Sequence, residues 1–201
     1  MTYSIHETGK FLFPGSGHYT ERGEDLGYGY TVNVPLEPYT EDYSYLDVFK
    51  ETVEPVIAAF KPDIILSVHG VDIHYRDPLT HISCTLSTLY TIPYIIQDLA
   101  ARYCHHKVIM FGGGGYNIWR VVPRAWSHVF LSLIGEPIQQ GYLPLSWINK
   151  WKLYSPVQLP KRWEDRLNDY TYIPRTKEIS EKNARIAKQV SSWYAHYKDE
   201  I

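Results

Sequence analysis

The sequence predicts an α/β fold with a mainly parallel sheet flanked by helices. Short apolar runs rich in Val and Ile alternate with segments of helical periodicity, the pattern of a sheet covered on both faces. The stretch Lys107-Val-Ile-Met-Phe-Gly-Gly-Gly-Gly-Tyr116 adds a second sign, since an apolar run there enters four consecutive glycines. Four residues without side chains imply that something approaches the backbone closely. In an open α/β sheet, ligands bind beyond the carboxyl ends of strands, where such a turn sits.

Element by element, Thr2–His6 reads as a strand and Tyr30–Leu36 as another, with Val32 and Val34 on one face. Residues 41–60 form a helix with an apolar stripe of Tyr45, Phe49, Val53, Val56 and Phe60. Pro55 lies inside it and is expected to kink it, because proline removes an internal hydrogen bond. Ile64–Val68 is continuous rather than alternating, which predicts a strand buried on both faces. A helix over 84–102, interrupted near Pro93, leads to a strand at Lys107–Phe111, and a further helix runs from Asn117 to about Ile134. Between Gly135 and Pro174 five prolines (137, 144, 156, 160 and 174) break any long element, so an irregular segment with short helices is expected. Residues 177–199 return to helix, and Ile186, Val190, Trp193 and Tyr197 form a face that packs on the domain.

The chain's 201 residues suit one domain with a core of its own. A net charge of −2 gives no drive toward nucleic acid or an anionic membrane, and no apolar run is long enough to span a bilayer. Two cysteines, Cys84 and Cys104, suggest no disulfide framework and fit a reducing cytoplasm, and the first residues lack the regions of a signal peptide.

Two constellations carry chemistry. At the glycine run, Tyr116 stands at the mouth of a site with its hydroxyl free to act on a bound group; a plain Gly-rich turn is the other reading. A phosphate loop is disfavoured, since no Lys-Ser/Thr pair follows. Upstream, Ile64–Val68 leads into Gly70-Val-Asp72-Ile-His74-Tyr-Arg-Asp77-Pro78. On an extended backbone Asp72 and His74 project to the same side, and either or both suit zinc. A polar loop in which Asp77 before Pro78 starts a turn explains the pattern equally.

Taken together, the motifs resemble the zinc-dependent deacetylase family, which includes histone deacetylases and acetoin-utilization deacetylases. The resemblance rests on Phe13-Pro-Gly-Ser-Gly17, Thr31-Val-Asn-Val-Pro35, Gly70-Val-Asp72, His74-Tyr-Arg-Asp-Pro-Leu-Thr-His81 and Gly112–Trp126, in family order over roughly residues 1–135. It implies part of a three-layer arginase/deacetylase-like fold. In it, 1–201 is the C-terminal part of a single deacetylase domain: a core over 1–135, an irregular segment over 136–176 and a helix over 177–200.

By the same resemblance Asp72 is a zinc ligand and Tyr116 the donor to the carbonyl oxygen of the substrate. Phe13 and Leu79 are walls of an acyl-lysine tunnel, and Gly114 lines it. The Ser4 hydroxyl and the Ile5 carbonyl help hold a structural potassium. His74 matches no ligand. Val68-His69 and Glu37-Pro38-Tyr39 depart from the family pattern.

The remaining zinc ligands and the adjacent general-base histidines of the family have no counterpart here. His105-His106 precede the Lys107 strand, at the wrong end of the sheet, and are expected in an exposed loop. The expected partners are therefore the N-terminal half of the domain and an acetylated protein, such as an acetyl-CoA synthetase, or a small acylated amine. A non-catalytic remnant that binds a partner or an acyl group is the alternative. Either form is expected in the cytoplasm, without nucleic acid or membrane.

Overall fold

The computed structural model describes residues 1–166 and 170–195. Strands β1 (Thr2–Glu7) and β2 (Thr31–Leu36) pair in parallel, from Thr2 opposite Thr31 to Glu7 opposite Leu36. β3 (Ile65–His69) and β4 (Val108–Gly112) form a second parallel pair, from Ile65 opposite Val108 to His69 opposite Gly112. Parallel neighbours need a long crossover, and α2 (Leu86–Cys104) supplies it between β3 and β4. The other helices are α1 (Asp42–Phe60), α3 (Val122–Leu133), α4 (Leu145–Trp151) and α5 (Thr176–Ser192).

The core follows the apolar pattern. Val32, Val34 and Leu36 of β2 are buried with the α1 stripe of Tyr45, Phe49, Val53 and Val56, whereas Phe60 at the helix end is part exposed and meets Tyr30 edge-on. α5 packs on α1 and β2 through Ala187 and Val190, with Ile186 and Trp193 beside them; Tyr197 lies outside the described residues. Inside that contact the buried Asn183 amide donates to Thr40 Oγ1 (2.7 Å) and Ser44 Oγ (3.0 Å), and its oxygen accepts from Glu37 N. Cys84 and Cys104 are both free thiols in buried positions.

Three expectations need correction. α2 runs unbroken through Pro93, because the proline removes one internal hydrogen bond while the buried face of the helix stays packed. α1 likewise continues through Pro55. α3 begins at Val122 rather than Asn117: residues 117–121 form a turn in which Asn117 O accepts from Val121 N and Val122 N, and Asn117 Oδ1 from Arg120 N. β3 is not buried on both faces, since Leu66 and Val68 are 63% and 69% exposed. Both line a groove of about 550 Å³ that also takes Ser4, Ile5 and His6 of β1 and Asp72 on its walls. The irregular stretch after Gly135 does hold one short helix, α4, as expected.

His105 and His106 sit exposed at the end of α2 in left-handed conformation, away from the carboxyl ends of the strands. His69, at the end of β3, is buried, and that burial pushes its imidazole down to about 4 from the ordinary 6.5. Between those values the unfolded chain binds a proton that the folded chain does not. This contribution to stability is therefore full above pH 6.5, declines as pH falls toward 4 and is flat below. The whole effect is roughly 3 kcal/mol. Urea unfolding of the parent and of His69→Asn from pH 4 to 7 is expected to show a steeper rise of stability with pH in the parent than in the variant.

Candidate active site

β3 and β4 end side by side, and the loops beyond their carboxyl ends are joined through the backbone. Gly113 N donates to His69 O at 3.0 Å, and Val71 N to Gly114 O at 2.7 Å. The Trp126 indole N–H donates to His69 O at 3.1 Å, and a Cβ on Gly112 would press on that ring at 3.2 Å. The joined loops bring the Asp72 carboxylate onto the glycine run. A Cβ on Gly114 would lie 2.3 Å from Asp72 Oδ2, and one on Gly70 would lie 3.0 Å from Oδ1. What approaches the bare backbone is thus the chain's own carboxylate.

The Asp72 carboxyl is held above the usual carboxylate range, first by burial and then by the like charge of Asp77, with its own backbone amide opposing them. Among the described residues no basic side chain pairs with it. It is an electrostatically strained acid of the kind that a cation relieves. No three His, Cys, Asp or Glu side chains among the described residues stand close enough to share a metal ion. A catalytic zinc takes three protein ligands, so Asp72 fits one position and these residues do not hold the ion by themselves.

Tyr116 is 54% exposed, and its position is fixed through its backbone. The buried Asp77 accepts from Tyr116 N at 2.7 Å and Asn117 N at 3.0 Å through Oδ2, and from Leu79 N at 3.1 Å through Oδ1. One carboxylate therefore anchors the loops of both Tyr116 and Leu79. The Asp-Pro pair did read as a turn, and the Leu79 bond is that turn. The grip on Tyr116, 39 residues away, carries no local signature. Asp77→Asn replaces an anionic acceptor of three amide protons by an amide with a single acceptor oxygen. It is expected to lower stability by about 2 kcal/mol, the scale of hydrogen bonds to a charged group. Denaturant unfolding checks this, and an equally stable variant removes Asp77 from the role.

His74 does not join Asp72. Its ring is fully buried, Nδ1 accepts from Arg76 N at 3.1 Å, and Nε2 donates to Asp165 Oδ2 at 2.9 Å. Both nitrogens are occupied, so the ring has no lone pair for a metal. The two-residue spacing misleads because the chain turns here: His74 N bonds Val71 O and Asp77 N bonds His74 O. Asp165, a residue that sequence reasoning missed, also accepts from Leu86 N and Arg124 Nη2. Burial raises its carboxyl, but the hydrogen bond from His74 and the charge of Arg124 outweigh that and hold it below the usual range.

Ser4 and Ile5 stand on β1, on the groove wall they share with Asp72, and Ser4 Oγ lies 2.9 Å from His6 Nδ1. Phe13 follows β1 in a loop and is 92% exposed. The structure therefore gathers Asp72, Gly114, Tyr116 and Leu79 around one loop junction, sets Ser4 and Ile5 on the adjoining groove, and leaves Phe13 in solvent.

Residues 1–133 match the histone deacetylase domain. The chain belongs to the histone deacetylase family. It is 79% identical over 193 residues to the acetoin utilization protein AcuC of Staphylococcus aureus, covering 96% of this chain and 50% of that protein. To AcuC of Bacillus subtilis it is 49% identical over 185 residues, covering 92% of this chain and 47% of that one. The chain thus spans about half the length of the curated relatives it matches. Its fold resembles that of a histone deacetylase homolog from Aquifex aeolicus (TM-score 0.72, 22% identity, 90% of this chain and 50% of the other). It also resembles a homolog solved in complex with SAHA (TM-score 0.73, 20% identity, 92% and 50%). This member therefore has the deacetylase-type architecture of parallel strands flanked by helices that the alternating pattern predicts.

Proposed function

We propose that this chain supplies one metal ligand and the oxyanion donor of a zinc-dependent deacetylase acting on acetyl-lysine, and that it works with a second polypeptide segment bearing the other ligands. The observation that carries the reading is the Asp72 carboxylate, raised by burial, without a basic partner among the described residues, and set against glycines beside the Tyr116 loop. Zinc, when bound, lowers the pKa of a water to about 7 and polarises the acyl carbonyl.

The chain's own residues do the rest. Asp72 contributes an anionic oxygen ligand. Tyr116, positioned by Asp77, donates its hydroxyl proton in a hydrogen bond to the acetyl oxygen as negative charge grows there. Leu79 and Phe13 flank the alkyl stem of the acylated lysine, and Gly114, against which Asp72 sits, lines the same path. The Ser4 hydroxyl and the Ile5 carbonyl, both on the groove wall, would help hold a structural potassium ion.

The likeness to AcuC proteins favours a cytoplasmic acetylated enzyme such as an acetyl-CoA synthetase as substrate, with small acylated amines as the lesser class. The test is reconstitution: co-expression with the portion of the S. aureus relative that this chain does not match, then assay on an acetyl-lysine peptide with and without zinc. Zinc-dependent release of acetate supports the reading. A stable complex that binds the peptide without hydrolysing it favours a non-catalytic acyl-binding remnant instead.

A further inference from the structure

The chain carries a net charge of −2, yet a cavity of about 380 Å³ is bordered by Arg76, Arg120, Arg124, Lys161, Arg162 and Arg166. Two carboxylates also border it, and each is already neutralised: Asp165 Oδ1 accepts from Arg124 Nη2 and Glu164 Oε1 from Arg162 Nη2, both at 3.1 Å. Arg124 is buried and saturated by the carbonyls of Arg120, Arg162, Trp163 and Glu164, so it builds the wall rather than offering a contact. Arg120 gives only its Nε, to Gln158 O at 3.3 Å. Among the described residues no carboxylate pairs with Arg120, Lys161 or Arg166, and the last two are exposed.

Arg76 is engaged elsewhere, its Nε donating to the Tyr75 hydroxyl at 2.9 Å. The other three cations repel one another around the concavity, and a multiply charged anion removes that repulsion. We propose that this cavity is an oxyanion site for a phosphate group, held by the side chains of Arg120, Lys161 and Arg166. Phosphate suits it better than a single carboxylate because it carries more than one negative charge and offers oxygens to two guanidinium forks and an ammonium at once. The site is tied to the Tyr116 loop: Asn117 Nδ2 donates to Arg76 O at 2.9 Å, and Asn117 Oδ1 accepts from Arg120 N at 3.2 Å. Occupancy of the cavity therefore stiffens the residue that follows Tyr116. None of its lining residues lines the β1/β3 groove, so binding there reads out whether or not the chain associates through that groove.

Calorimetric titration of inorganic phosphate and of pyrophosphate into the 201-residue chain, at fixed ionic strength set with sodium chloride, tests this. Saturable binding is expected. Equal affinity for the two probes assigns free phosphate, and a preference for pyrophosphate assigns a phosphorylated small molecule. Arg120→Gln, Lys161→Gln and Arg166→Gln are each expected to weaken binding about tenfold, the scale of one charge-assisted hydrogen bond. Lys161→Gln and Arg166→Gln change exposed side chains only, so their circular dichroism should match the parent. Lys188→Gln, exposed on α5, should bind as the parent does. Binding that never saturates, that persists unchanged in the doubly substituted Lys161→Gln/Arg166→Gln chain, or that weakens equally in Lys188→Gln overturns the proposal.

Discussion

Tyr116→Phe in the completed enzyme is expected to keep its zinc and its fold while turnover falls about 10²–10³-fold, the usual loss for one preorganised oxyanion donor. The loop owes its position to backbone bonds with Asp77, which the substitution leaves in place. The hydroxyl is half exposed at a loop mouth, so its removal opens no core cavity. Asp72→Asn should separate from it cleanly. That change replaces an anionic ligand by a neutral amide at the same volume, and the ligand contact against Gly114 permits no larger group. Zinc content should fall with turnover, not after it. Metal analysis and single-substrate kinetics on both variants divide the roles. Zinc loss in Tyr116→Phe, or parental zinc affinity in Asp72→Asn, would reverse them.

The second large effect concerns the 201 residues alone, which are expected to release no acetate from an acetyl-lysine peptide. The described residues offer no group of three metal-ligating side chains, so there is nothing to hold the ion. The same chain should associate with itself. Among the described residues β1 and β3 each have a strand partner on one side only, and Leu66 and Val68 expose apolar surface to the groove between them. Adding the unmatched half of a relative is expected to restore both zinc-dependent hydrolysis and a discrete sedimenting species. Family-like, zinc-dependent turnover by a monomeric preparation of the chain by itself would sink this expectation and the shared-site reading with it.

Much of this was legible beforehand, for identifiable reasons. β2, β3 and β4 are short runs rich in Val, Ile and other apolar residues, β1 alternates around Tyr3 and Ile5, and those local signals place each strand within a residue or two. The glycine run announced a close approach, and Asp72 makes it. The exposure of Leu66 and Val68 was hidden, because a continuous apolar run records that a face wants covering and not what covers it. The roles of Asp77 and Asp165 were hidden for another reason. Each is an acid in a turn or irregular segment whose long-range partners lie 39 to 91 residues away, and composition does not encode such pairings. The local pairing of His74 with Asp72 fails because a period of two holds only where the backbone stays extended, and the family resemblance already gave His74 no ligand role.

Asp165 also bears on the order in which the molecule assembles. It joins three regions, reaching His74, Leu86 and Arg124 across 91, 79 and 41 residues of chain. During synthesis at roughly 5–20 residues per second, His74 emerges on the order of ten seconds before its acceptor exists. The loop that carries the site must wait for a late segment to close it, and long-range closure of this kind slows folding. A stalled ribosome that has passed residue 150 but not 165 would therefore hold a nascent chain with its βαβ unit made and the Asp72–His74 loop still open.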